Sequence, residues 1–246
     1  MFLEEKTFIT DCDIKNKNWS VMKIFTKILL MSLFFSFCAT SIAVANDNFD
    51  ITKTDQEEIS EKDWQSLQKT YKQVTKEKNI ILALEMLKNS SGAYSRDAIL
   101  GANLTNKPIK VQFKDLAEIN PNFQNFDAAG SILKQKLYIN INEKHKSAPP
   151  IALAALLSHE ALHQDSFNSI NEETYAWTME AAVWTQLSER YPEKVDPNYP
   201  LIKREETLKK LFIKGNYTDE YIRKSIKINP AYQNLPSRSP GFEDRL

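Results

Sequence analysis

Residues 149–158 carry a single polar side chain, Ser158, and run directly into His159-Glu160-Ala161-Leu162-His163. Pro149 and Pro150 stand where proline is tolerated, at the first turn of a helix. Ile151, Leu153, Ala154, Leu156, Leu157, Ala161 and Leu162 then predict a helix that is largely buried. Two imidazoles and a carboxylate on so apolar a segment are costly to bury without a compensating charge.

A metal ion supplies that charge. His159 and His163 are four residues apart, so on a helix their rings project from one face about a turn apart. They can take neighbouring corners of a zinc tetrahedron. Glu160 lies about 100° further round, too far to join them as a ligand, and faces a water on the metal instead. Zinc lowers the pKa of such a water toward neutrality, and the carboxylate takes its proton as it attacks a carbonyl. This is the mechanical content of the His-Glu-x-x-His motif, and two of the three histidines in the chain fall within it. The cofactor expected is one Zn2+.

A third protein ligand is needed, with the fourth position open. No histidine or cysteine follows His163, so carboxylates remain. A second long helix is predicted over 171–190, where Glu173, Ala176, Trp177, Glu180, Trp184 and Leu187 share a face. Glu173 lies nearest the motif loop and is the preferred ligand. Glu180, two turns on, is an alternative ligand or a support for a ligand histidine. Glu172 is a further alternative, although Ser169-Ile170-Asn171-Glu172 also reads as a capping box. Asp165, two residues past His163, is awkwardly placed. His145 sits in a polar turn and reads as an exposed loop histidine, the alternative being a transition-state donor.

The motif, followed by Glu173-Thr174-Tyr175-Ala176, resembles the gluzincin branch of zinc metallopeptidases, and most of all its small single-domain members, the minigluzincins. The resemblance covers about residues 108–190. It implies a zincin-like fold in which His159, His163 and Glu173 bind zinc and Glu160 is the general base. It also implies an edge strand before the active-site helix, to which Leu137, Tyr138, Ile139, Asn140 and Ile141 correspond, and an extended peptide can pair with such an edge. The chain departs from the family pattern at Trp177, where many gluzincins carry an aspartate that orients a zinc histidine. Support must then come from Glu180 or Asp165, or be missing. Tyr138, Tyr175, Tyr217 and Tyr221 are available as oxyanion donors, and none is singled out.

The N-terminal part suggests export. Met22-Lys23-Ile24-Phe25-Thr26-Lys27 precedes an almost uncharged run, residues 28–45, that ends in Ala43-Val44-Ala45. A basic start, an apolar stretch and a small-x-small end make a cleavable signal peptide over 22–45; an uncleaved anchor is the alternative. Residues 1–21 then read as an upstream mis-start and 46–62 as a polar leader. Cys12 and Cys38, the only cysteines, fall before the expected cleavage point near Ala45, so the domain relies on its core. Lysine plus arginine equal aspartate plus glutamate at 32 each, and no basic surplus points to nucleic acid.

Residues 63–246 are expected to form one α+β domain: helices, a small antiparallel or mixed sheet, then helices. Helical spacing begins at Asp63 and ends at Asn89-Ser90-Ser91-Gly92. Strands are predicted at Ile109, Val111 and Phe113 and at Leu137, Ile139 and Ile141, with turns between them at Asn120-Pro121-Asn122 and Asp127-Ala128-Ala129-Gly130. Further helices are expected near 201–214 and 218–229, before a proline-bearing tail that is extended or mobile. The function expected is an exported zinc peptidase, periplasmic or secreted, acting on peptide or protein, with membrane contact only through an uncleaved signal segment. The alternative is a non-catalytic metal-containing binding protein of the cell envelope.

Overall fold

The apolar run is the central helix of the chain, Pro150–Glu160, and residues 151–160 are all buried. The computed structural model describes residues 6–7 and 59–243. Apart from that dipeptide, the expected upstream segment and signal peptide lie outside the described residues, as does most of the polar leader. No described helix is long and apolar enough to cross a membrane.

The architecture is mixed α+β, as expected. Among the described residues are seven helices of eight residues or more: α1 (Glu61–Tyr71), α2 (Lys78–Leu87), α3 (Ala93–Leu100), α4 (Pro150–Glu160), α5 (Ile170–Arg190), α6 (Pro200–Lys214) and α7 (Glu220–Ile228). The strands are β1 (Lys6–Thr7), β2 (Lys110–Lys114), β3 (Ala128–Leu133) and β4 (Lys136–Asn142). Helix α1 starts two residues before Asp63 because Ser60 caps it, its Oγ accepting from the Asp63 N–H. Helix α3 was not anticipated. It buries only Ser95, Ala98 and Ile99, too few positions to show a period, and Ser95 Oγ ties it to the Ser158 carbonyl of α4.

The sheet is mixed, in the order β1-β3-β4-β2. Leu137, Ile139 and Ile141 are buried, as their alternation predicts. Strand β4 is not an edge, however: it pairs in parallel with β2 and antiparallel with β3. Alternation reports which face of a strand is buried and is silent about its neighbours, so the edge assignment fails. Among the described residues the edge strands are β1 and β2; β1 covers β3 only at Ser131 and Ile132, so residues 128–130, which the sequence reads as a turn, pair with β4 alone. Lys134 and Gln135 join β3 to β4 with φ of 50° and 60°. Two left-handed residues match the right-handed twist of a hairpin, but Lys-Gln lacks the Asn-Gly signature that announces one.

Helix α5 packs against α4 on one side and α6 and α7 on the other. Glu173, Ala176, Glu180, Trp184 and Leu187 are buried along one face, as their spacing predicts, while Ala181 joins Leu208, Phe212, Ile222 and Ile226 in the core beneath α6 and α7. The C-terminal segment is neither loose nor extended. The Ile170 and Asn171 N–H groups donate to the Pro236 and Ser237 carbonyls at 2.9 and 3.2 Å, and Phe242 packs on the Tyr175 ring. The first-turn N–H groups of a helix lack partners within it, and the tail supplies two.

Candidate metal centre

Helix α4 ends at Glu160, so His163 is not on the helix that carries His159. The Leu162 and His163 N–H groups donate to the carbonyls three residues back, His159 and Glu160, at 3.0 and 3.3 Å. This tightened turn keeps the two rings together, with Nε2 atoms 3.2 Å apart. Glu173, from the first turn of α5, places Oε2 3.8 Å from His159 Nε2 and Oε1 3.7 Å from His163 Nε2. These three side chains form the group among the described residues that could hold a metal ion.

The donor set fits a zinc-sized cation. Two nitrogens each about 2.0–2.1 Å from one tetrahedral zinc lie about 3.3 Å apart, close to the separation here. The far side of each ring faces a carboxylate: His163 Nδ1 lies 3.0 Å from Glu172 Oε1, and His159 Nδ1 lies 3.1 Å from Glu180 Oε2. The first is a hydrogen bond; the second is an ion-pair distance without hydrogen-bond alignment. A ring that carries its proton at Nδ1 turns the Nε2 lone pair inward, where it can be offered to a cation. In the metal-free chain burial works against the charged imidazolium of His163, but Glu173, Glu172 and Glu160 outweigh it and raise the pKa to about 9.

The three candidate glutamates therefore hold three positions. Glu173 alone joins the histidine Nε2 atoms, its oxygens fixed by Asn168 Nδ2 at 2.6 Å and Trp177 Nε1 at 3.0 Å. Glu180 backs His159, the support role weighed for it. Glu172 backs His163, a role its capping position concealed: its N–H donates to Ser169 Oγ, while the Ser169 N–H goes to Asn168 Oδ1. Asp165 accepts from the Phe167 N–H in the connecting loop and is not one of the clustered ligand atoms. Trp177, at the position of the missing aspartate, meets the His159 ring edge-on at 5.4 Å between centroids.

Behind Glu180 stands Arg204 of α6, which the sequence did not single out. Its Nη2 donates to the Glu180 carboxylate at 2.8 Å, its Nη1 lies 3.2 Å from Glu205 and its Nε 3.4 Å from Asp127. Its guanidinium also lies 4.8 Å from the centroid of the Trp177 ring. Burial opposes the charge on Glu180, but Arg204 and His159 keep it ionised. At Glu205 burial and the neighbouring Glu180 outweigh the pull of Arg204 and raise the pKa well above the usual carboxylate range.

A testable consequence concerns pH. Above about 4.3 an unfolded glutamate loses a proton that folded Glu205 retains, so its contribution to stability falls as pH rises toward the folded pKa. Glu205→Gln has no such titration. Its melting temperature is expected to stay near that of the parent at pH 5 and to gain on it progressively toward pH 7. A difference between variant and parent that stays constant from pH 5 to 7 would show that Glu205 is ionised in the fold.

His145 is buried, not exposed, at 1% accessibility. Its Nε2 lies 2.6 Å from Asp127 Oδ1, which Lys144 also approaches to 3.0 Å. Burial works against the Asp127 charge, but the His145 contact, Arg204 and Lys144 prevail and hold the carboxyl well below its usual range. His145 reaches the centre only through Asp127 and Arg204, so neither the loop reading nor the donor reading describes it.

His159, His163, Glu173 and Glu160 line a cleft of about 380 Å³ with residues 126–130, Trp177, Arg204 and Tyr232. Burial pushes the Glu160 carboxyl above its ordinary range; Glu173 and Glu180 add to the shift and the two histidines oppose it. Burial, followed by Glu173, likewise raises Tyr232 well above the usual phenol, so it remains a proton donor. Tyr138, Tyr175, Tyr217 and Tyr221 do not line the cleft. Tyr232 lay in the tail that was expected to be loose, and no local signal marks it.

Compared with known proteins, the chain matches no family model, no curated protein and no solved structure.

Proposed function

We propose that this chain is a zinc-dependent peptidase of the gluzincin type, exported and active after signal-peptide cleavage. The observation that carries the reading is the convergence of His159, His163 and Glu173, both histidines backed by carboxylates, with Glu160 in the same cleft. Zinc, when bound, supplies a Lewis acid and a water acidified to near neutrality. Glu160 accepts the proton of the attacking water and returns it to the leaving amine; a carboxyl pKa raised by burial suits that exchange near neutral pH. Asn168 and Trp177 hold the Glu173 oxygens in place.

Two features of the sequence keep a non-catalytic metal-binding protein as the alternative: the absent aspartate and the unassigned oxyanion donor. Glu180 and Glu172 answer the first, and Tyr232 is the phenol placed to answer the second. Substrate binding has a natural site on the edge of β3. Thr7 and Lys6 pair with Ser131 and Ile132, whereas residues 128–130 lie in the cleft wall, where an extended peptide can add antiparallel to them.

The decisive experiment uses purified protein beginning at residue 46. About one zinc per chain by elemental analysis, with cleavage of unstructured peptides that stops on chelation and returns with zinc, is expected. Stoichiometric zinc with no cleavage across a diverse peptide library would leave the binding-protein alternative. Tyr232→Phe is expected to lower kcat by about 10²–10³ with KM little changed, as removal of an oxyanion donor does. An unaltered kcat would remove Tyr232 from the mechanism.

A further inference from the structure

The C-terminal segment touches the metal centre from behind as well as lining the cleft. Ser239 is 2% exposed, and its Oγ donates to Glu172 Oε2 at 2.9 Å. The other Glu172 oxygen lies 3.0 Å from His163 Nδ1. A line of two hydrogen bonds thus runs from residue 239 to the imidazole that offers its Nε2 to the ligand group. Glu172 is itself fully buried, and a buried carboxylate is held in place by the hydrogen bonds to its oxygens.

The same segment completes the helix end that bears Glu172 and Glu173. Of the first four N–H groups of α5, those of Ile170 and Asn171 go to the Pro236 and Ser237 carbonyls, and those of Glu172 and Glu173 go to Ser169 Oγ and Ser169 O. Half of the satisfaction of that turn therefore comes from residues more than sixty positions downstream.

We propose that Ser239 is a positioning residue for metal binding. By holding Glu172 it fixes His163 with the proton on Nδ1 and the Nε2 lone pair toward the ion, so residues 236–239 are a working part of the centre. This rests on the metal-binding reading above. A partner two bonds removed from the ion acts through ligand orientation, an effect that outer hydrogen bonds exert on affinity rather than on the fold.

The test compares zinc dissociation constants, measured by competition with a chromophoric chelator, for the full exported chain and for Ser239→Ala and Ser239→Thr. Ser239→Ala is expected to bind zinc about tenfold more weakly, while Ser239→Thr, which keeps the hydroxyl, restores most of the affinity. The melting temperature of the metal-free Ser239→Ala protein, read in parallel, is expected to stay close to that of the parent. Equal zinc affinities in parent and alanine variant overturn the positioning role and leave the metal site standing. A large fall in the metal-free melting temperature that the threonine variant shares also overturns it, because the serine is then a packing element. Failure of the parent chain to bind zinc sinks the metal-binding reading and this proposal with it.

Discussion

Glu160→Gln is expected to reduce peptide cleavage by about 10²–10⁴ while leaving one zinc bound and the melting temperature near that of the parent. The amide has the shape of the carboxylate but cannot accept the proton. Glu160 is 7% exposed and lies outside the ligand group, so replacing it removes no donor from the metal. The buried charge that burial already disfavours is also removed, which argues against destabilisation. The discriminating measurement is kcat on a peptide that the parent cleaves, with metal content determined on the same sample. Full activity in Glu160→Gln would falsify the general-base assignment, and loss of zinc in that variant would mean that Glu160 is a ligand.

Arg204→Met should have the largest effect on stability. Arg204 faces Glu180, Glu205 and Asp127. Without it, Glu180 is a buried anion left with His159 as its partner, and Asp127 loses one of its cations. Breaking a buried pair by removing one partner costs about 3–5 kcal/mol. In a domain of this size each kcal/mol moves the melting temperature by about 2–4 °C, so a fall of roughly 6–20 °C is expected. Arg204 is 20% exposed and Asp127 25%, which places the outcome toward the lower part of that range. Zinc affinity should fall as well, because Glu180 loses the guanidinium that holds it against His159. A shift below about 2 °C would show that solvent screens the cluster and that Glu180 needs no fixed partner.

Sequence alone determined the elements whose evidence is local. The apolar run before His159 could only be a buried helix, and the phase of the second helix brought Glu173 and Glu180 to one face; the four-residue spacing brought His163 beside His159, though across a tightened turn and not along one helix. Those conclusions hold because helical periodicity is a property of neighbours along the chain. The preference for Glu173 over Glu172 and Glu180 could be drawn from phase and caps, but the tasks of the other two could not. A capping motif predicts where an N–H goes and says nothing about a carboxylate that turns away from it.

Tertiary structure decided the rest. Residues 128–130 form a strand because β4 offers them a partner, although Ala-Ala-Gly has little strand preference of its own. Arg204 and His145 look like ordinary polar residues of a helix and a turn until the fold sets Asp127 between them. Tyr232 and Ser239 lie in a proline-bearing tail with no periodicity, and they come beside the cleft and Glu172 because its carbonyls fit the bare N–H groups at the start of α5. The physical reason is the same in each case. Burying a charge or a helix end demands a partner, but that demand sets no limit on how far along the chain the partner lies.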